Sequence, residues 1–112
     1  MEPTDRGGVI HFIDAEVRVP GPAGERNVLV LQRGTLDIRL SVPVPPNEQT
    51  PHEQDELYVI VRGRGFLVHG DKRDQFETGD ILFVAAGTEH HYEDFSDDLA
   101  LWRIFYGRRG GE

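Results

Sequence analysis

Short hydrophobic segments recur along the chain at intervals of about 8 to 12 residues, with turn residues between them, a pattern typical of all-β domains. Glycines and prolines mark the turns, for example in Pro20–Pro22 and Arg62–Gly65. No segment keeps a helical period for more than about one turn, so no helix is predicted. The predicted strands are Val9–Phe12, Glu16–Val19, Asn27–Gln32, Thr35–Val42, Glu56–Val61, Phe66–His69, Lys72–Glu77, Asp80–Val84, Glu89–Glu93 and Leu99–Tyr106.

Apolar and polar side chains alternate along Thr35–Val42, so this strand is predicted to have one wet face. The segments Asn27–Gln32, Glu56–Val61 and Leu99–Tyr106 differ, because apolar residues occupy both of their faces. A single barrel buries one face of each strand, and the other face needs a cover. A second copy of the chain would supply that cover, so a homodimer is expected. The apolar face of Thr35–Val42 carries Leu36, Ile38, Leu40 and Val42, and its wet face carries Thr35, Asp37, Arg39 and Ser41.

A chain of 112 residues has room for one core, so residues 1–112 are predicted to form one domain, with 1–8 and 107–112 as flexible tails. Its 20 acidic and 12 basic residues give a net charge of −8, which argues against binding to a nucleic-acid backbone.

The absence of cysteine excludes disulfides and thiolate ligands. The polar N-terminus lacks the apolar core of a signal peptide, and no apolar run is long enough to cross a membrane. These features predict a soluble cytoplasmic protein without a membrane partner.

Three side chains are candidate ligands of a divalent metal, namely His52, Glu56 and His90. They offer two nitrogen donors and one oxygen donor, a set that suits Mn, Fe, Co, Ni or Zn. On one flat strand His52 and Glu56 would lie about 13 Å apart, whereas two ligands of one ion lie within about 4 Å of each other. A shared metal therefore requires a sharp bend in the polar residues between them, with the strand beginning at Glu56.

Strand alternation predicts which aromatic residues form a pocket wall beside these ligands. Tyr58 lies on the face of the carboxylate ligand, and Tyr92 lies on the face of His90, whose neighbour His91 must point the other way. Phe66 is a third candidate for the wall. A small-molecule ligand or substrate is the partner expected in such a pocket.

Two motifs in the chain resemble those of the cupin superfamily, whose members are small antiparallel jelly-roll barrels. The first motif combines histidine, glutamate and a closing glycine, and the second combines two glycines and a histidine at fixed spacing. The residues in matching positions are His52, Glu56 and Gly63 in the first motif and Gly79, Gly87 and His90 in the second. The resemblance covers about residues 27–106 and implies an all-β fold, an antiparallel jelly-roll (double-stranded β-helix) barrel.

Two positions depart from these motifs. Thr50 stands where the first motif has another histidine, and Ala85 stands where the second has a proline. Relative to the family, a four-ligand metal site thereby becomes a three-ligand site of lower affinity. A narrower resemblance, to small one-domain cupins, rests on Pro51–Glu56 and Glu93–Asp98, and it implies a fold and a site but no substrate.

Three functions are open on the sequence. A metal-dependent enzyme with oxygenase, hydrolase or isomerase chemistry would use the positions that three protein ligands leave free on the ion. A metal-binding or ligand-binding module without turnover would use the same site. A metal-free barrel would keep the three side chains as a hydrogen-bonded polar cluster, which Thr50 favours. Metal affinity is expected to fall below about pH 6, because a histidine ligand must be neutral.

Overall fold

The computed structural model describes residues 6–46 and 51–112. Every strand predicted from Asn27 onward is present within these ranges, with ends shifted by at most about two residues, as is common for strand boundaries. The two strands predicted before Asn27 are absent from the described residues. The elements are α1 Phe12–Glu16, β1 Asn27–Arg33, β2 Leu36–Ser41, β3 Asp55–Arg62, β4 Arg64–His69, β5 Lys72–Glu77, β6 Ile81–Val84, β7 His90–Glu93 and β8 Ala100–Tyr106.

The predictions of strands at Val9–Phe12 and Glu16–Val19 are wrong, because neither segment forms a strand and the short helix α1 joins them. Phe12 and Ala15 are three residues apart and therefore share one helix face, whereas a strand would place them on opposite faces. Ala15 is buried, and the Phe12 ring lies edge-on to Trp102 of β8 at 6.2 Å between centroids. In the described ranges no helix has the length and apolar character needed to span a membrane.

The strands form two antiparallel sheets. One sheet has five strands in the order β1-β2-β8-β3-β6, and the other has three in the order β5-β4-β7. Consecutive strands β3 and β4 lie in different sheets, and Gly63 is the single residue between them. Its φ of +97° is a conformation that glycine adopts without strain. This arrangement confirms the predicted all-β, jelly-roll fold class.

The hydrophobic core lies between the two sheets. Its side chains are contributed by strands of both sheets, so the two layers share one core. The core residues are Tyr58, Ile60, Leu67, Phe76, Leu82, Val84, Tyr92, Leu99 and Leu101, with Phe95 packed against them.

The polar face of β2 is turned toward the interior rather than toward bulk water. Asp37 pairs with Phe105 of β8, which is buried, and residues opposite each other in an antiparallel ladder share a face. Asp37 and Arg39 therefore line the inner side of the sheet. The apolar face of β2 lies outside, where Leu40 is completely buried and α1 packs against the strand. The alternation predicted along this strand is correct, and its wet face is the wall of a cavity.

Residues 107–112, expected to form a flexible tail, fold back onto the start of β3. The backbone N–H of Gly110 donates to the carbonyl oxygen of Glu53 at 2.7 Å, and that of Glu112 donates to Asp55 Oδ2 at 3.0 Å. Positive φ angles at Gly107 and at the glycines after Arg109 permit this tight return, which side chains with a Cβ would resist.

Candidate metal centre

A bend before β3 brings His52 beside Glu56. β3 begins at Asp55, and the backbone N–H of Gly87 donates to the carbonyl oxygen of His52 at 2.7 Å. This hydrogen bond joins the segment before β3 to the turn that leads into β7. As a result His52 Nε2 lies 3.5 Å from Glu56 Oε1, in place of the separation of about 13 Å on a flat strand.

His90 completes the group from the first position of β7. Its Nε2 lies 3.7 Å from Glu56 Oε1, and one donor atom from each of the three residues lies within 4.8 Å of the others. Glu56 is 1% exposed and His90 is 3% exposed, while His52 is half-buried. The structure thus brings together all three residues that the sequence identified as candidate ligands. Thr50 lies outside the described residues.

Tyr58 contacts both buried members of the group. Its hydroxyl donates to Glu56 Oε2 and lies 2.9 Å from His90 Nε2. His90 Nδ1 lies 2.9 Å from the carbonyl oxygen of Thr88, which can only accept, so Nδ1 carries a hydrogen, and in the neutral ring Nε2 then holds the lone pair. The single Tyr58 hydrogen cannot satisfy the carboxylate and the imidazole together. One of these two acceptors is left for a cation or a second proton.

His52 also presents a lone pair to the group. Arg103 Nη2 lies 3.4 Å from His52 Nε2, and because a guanidinium only donates, this contact is a hydrogen bond in the tautomer whose Nε2 accepts. Burial lowers the pKa of His52; Glu56 opposes this effect, whereas Arg103 and His90 lower the pKa further. Its imidazole is therefore neutral at neutral pH, the form that binds a metal.

Burial is also the main reason that the pKa of Tyr58 is raised, with Tyr92 and Glu56 acting in the same direction. The hydroxyl thus keeps its hydrogen and donates it. The rings of Tyr58 and Tyr92 pack edge to face, with centroids 5.8 Å apart, and both belong to the hydrophobic core, so neither lines the cavity described below.

Phe66 is not part of a pocket wall either. The positions of Gly65 and Leu67 lie on the buried face of β4, so Phe66 between them lies on the outer face. There the guanidinium of Arg73 covers its ring at 3.7 Å. His91 also points outward, as predicted, and its Nε2 lies 2.9 Å from Glu93 Oε2.

Asp55 connects three parts of the chain around the site. Its Oδ1 accepts from the backbone N–H of Ala86 at 2.9 Å, and its Oδ2 accepts from that of Glu112. The hydrogen bond from Glu112 and the one from Ala86 lower the pKa of Asp55. The ionised carboxylate therefore fixes the turn before β7, and with it the position of His90.

A cavity of about 510 Å³ opens beside the group, and His52 is the candidate ligand that lines it. The sequence interpretation missed the charged side chains of this cavity. Alternation predicts Arg39 on a solvent-exposed face, and Arg103 lies within a segment whose apolar residues dominate its pattern. Strand pairing places these two arginines opposite each other on the inner face. The cavity is lined by Asn27, Asp37, Arg39, Pro51, His52, Glu53, Gln54, Arg103, Phe105 and Arg109.

Comparison with known families and curated proteins agrees with this fold. Residues 41–104 match the family model described as "Cupin domain", which is more than half of the chain. An uncharacterized protein of Streptomyces coelicolor is 34% identical over 85 residues, covering 72% of this chain and 71% of that protein.

Two further similarities are more limited. A mannose-6-phosphate isomerase of Cryptococcus neoformans is 36% identical over 55 residues, which span 49% of this chain but 12% of that enzyme. A crystal structure of a cupin-2 domain-containing protein from Shewanella frigidimarina superposes with a TM-score of 0.67 at 16% identity, covering 89% of this chain and 95% of that one. At that identity the structural similarity concerns the fold alone.

Proposed function

The chain belongs to the cupin family, and we propose that it binds one divalent transition metal ion through His52, Glu56 and His90 and presents that ion to a small molecule. The observation that carries this proposal is that the buried group has fewer hydrogen-bond donors than acceptors. Tyr58 has one hydrogen for two acceptors, while Arg103 approaches His52 as a donor and so marks a lone pair there. A cation shared by the three donors satisfies these lone pairs at once.

The alternative without a metal is less well supported by the contacts. A purely hydrogen-bonded cluster would need an additional proton between Tyr58 and His90, on a ring whose Nδ1 hydrogen is already held by Thr88. That ring would then be a buried imidazolium, a charge that burial disfavours unless the Glu56 carboxylate compensates it. The nitrogen and oxygen donors suit Mn, Fe, Co, Ni or Zn, so the donor set fits a metal without selecting one.

Three protein ligands leave room on the ion for a small molecule that enters the cavity beside His52. A bound divalent ion would act as a Lewis acid toward a hydroxyl or carbonyl oxygen of that molecule. The chain contributes two buried donors, Glu56 and His90, and a tyrosine that remains protonated, Tyr58. The local similarity to a mannose-6-phosphate isomerase favours isomerase chemistry on a carbonyl compound as the second candidate function.

Elemental analysis of protein purified without a polyhistidine tag tests the proposal. We expect one equivalent of a transition metal per chain, or one equivalent taken up on titration with Mn²⁺, Co²⁺ or Zn²⁺ after chelation. Protein that binds none of these ions stoichiometrically contradicts it. Oxygen uptake and sugar-phosphate isomerisation assays on the metal-loaded protein then separate oxygenase chemistry from isomerase chemistry and from binding without turnover.

We also propose that the chain forms a homodimer through the outer face of the five-stranded sheet near β6. β6 is an edge strand, and its outward residues Ile81 and Phe83 are 68% and 52% exposed. They pair with Val59 and Leu57 of β3, which extends the apolar face across two strands. An exposed apolar edge strand invites uncontrolled pairing, and a second copy of the same face would cover it.

Sedimentation equilibrium at micromolar concentration is expected to show a dimer of the 12.7 kDa chain. Phe83→Glu should give a monomer that still binds metal, because the new charge would be buried unpaired in the interface. Val17→Glu is the matched control, since Val17 is also exposed but lies at the end of α1. A wild-type protein that sediments as a single 12.7 kDa species would refute the dimer.

A further inference from the structure

Three arginines and two carboxylates line the cavity beside His52, and their pairing is uneven. Arg39 Nε lies 2.9 Å from Asp37 Oδ1, and its Nη2 lies 3.3 Å from Oδ2 of the same carboxylate. Arg109 Nη2 lies 2.5 Å from Glu53 Oε1. These two arginines are neutralised by their partners, so a single positive charge is left over in the cavity.

That charge belongs to Arg103. Within residues 6–46 and 51–112 its guanidinium has no carboxylate partner, and its one hydrogen-bond contact is the 3.4 Å approach to His52 Nε2. Its Nε is buried and lacks a hydrogen-bond partner in the same ranges. A guanidinium has five donor hydrogens, and buried donors in folded proteins are nearly always satisfied. The buried Nε–H of Arg103 therefore has no acceptor among the described residues, and an oxygen of a molecule bound in the cavity would supply one.

Metal binding would increase the need for such an acceptor. His52 Nε2 is the nitrogen that the proposed metal would occupy, and coordination would remove the one contact that Arg103 makes. The guanidinium would then stand beside a divalent ion and would be repelled by it. An anion on Arg103 would relieve the repulsion and satisfy the donors together.

We propose that Arg103 anchors a carboxylate subsite next to the metal centre, so that the ligand of this protein is a small organic acid with its carboxylate on Arg103 and a second oxygen on the ion. This inference rests on the proposed metal site. A carboxylate carries one negative charge and matches the single unpaired arginine, and its two oxygens fit the planar fork of a guanidinium. A phosphate carries about two charges, one more than Arg103 by itself balances.

Linkage makes the inference measurable. The acid reduces the repulsion between Arg103 and the ion, so bound acid favours metal binding. By linkage the metal must then tighten the binding of the acid by the same factor. The probes are Co²⁺, titrated calorimetrically into metal-free full-length protein, and glycolate, a carboxylate with a neighbouring hydroxyl. Glycolate is expected to tighten Co²⁺ binding about tenfold, which lies within the usual range of such coupling.

Arg103→Met should reduce this coupling to what direct contact of glycolate with the ion supplies, while Co²⁺ still binds, because methionine keeps much of the length that packs near Phe105 but has no charge. Arg109→Met removes an equal charge from an arginine that is 79% exposed and paired with Glu53, and it should retain the coupling. Arg103→Lys keeps the charge but loses the planar pair of donors, so it should also lose most of the coupling between glycolate and Co²⁺. This variant replaces Arg103→Met in the experiment if the methionine variant fails to fold.

Three results would overturn the carboxylate subsite: no effect of glycolate on wild-type protein, equal coupling in Arg103→Met, or inorganic phosphate acting as strongly as glycolate. Each of these leaves stoichiometric Co²⁺ binding intact. Loss of Co²⁺ binding by the wild-type protein itself would instead refute the proposed metal site, and the subsite with it.

Discussion

Glu56→Gln is expected to weaken metal binding by more than the ~10–100-fold that loss of a supporting residue around a metal site typically costs. The substitution replaces the one anionic donor of the group with a neutral amide of nearly the same shape. The amide oxygen of the new side chain can still accept a hydrogen bond from Tyr58, so the fold should survive and the effect should be confined to the metal. Calorimetric titration of the metal-free variant with Co²⁺ measures the loss.

His91→Gln is the matched control for this experiment. His91 adjoins His90 in the sequence, but it points outward and contacts Glu93 instead of Glu56. Its replacement should leave the affinity for Co²⁺ unchanged. If Glu56→Gln and His91→Gln bind the ion equally well, the assignment of Glu56 as a ligand is wrong.

Gly63→Ala is expected to destabilise the fold by about 3 kcal/mol, from the combined cost of a left-handed backbone and of overpacking. A Cβ at this position would lie 2.6 Å from Ser96 Oγ and 2.9 Å from the Cα of Leu99. The Cα of Leu99 belongs to the backbone just before β8, so it cannot shift without disturbing the strand. Urea denaturation followed by circular dichroism would report the change in free energy of unfolding.

Gly70→Ala separates the two contributions. Gly70 also has a positive φ, of +57°, but nothing lies within 4 Å of the added Cβ. Only the backbone cost applies there, so a loss of about 1 kcal/mol is expected. Equal losses for the two variants would show that the crowding around Gly63 does not matter to stability.

The sequence predicted the candidate site better than it predicted the surroundings of that site. A sharp bend was required if His52 and Glu56 were to share an ion, and the structure has that bend. Alternation also placed Tyr58 and His91 on their correct sides. These predictions succeed because spacing along a strand determines geometry over a few residues.

The missed features depend on contacts between distant segments. Alternation in β2 identifies two faces but not which one looks inward, and the answer depends on α1, which packs against β2 from outside. The helix itself has five residues, too few for a periodic signal. The sequence gives no sign that Arg103 matters, because it is one charged residue within an otherwise apolar strand. Its role becomes visible only when strand pairing places it between Arg39 of β2 and Tyr58 of β3.

The edge-on packing of Phe12 against Trp102 gives the protein an intrinsic optical reporter. Trp102 is the single tryptophan of the chain, and its indole lies on the opposite side of β8 from Arg103. Arg62 of β3 holds the same helix by an ion pair with Glu16 at 2.6 Å. The emission wavelength of Trp102 should therefore follow detachment of the N-terminal helix from the sheet, whereas occupancy of the cavity acts on the other side of the strand. The emission of Trp102 can in this way report undocking of the helix separately from filling of the cavity.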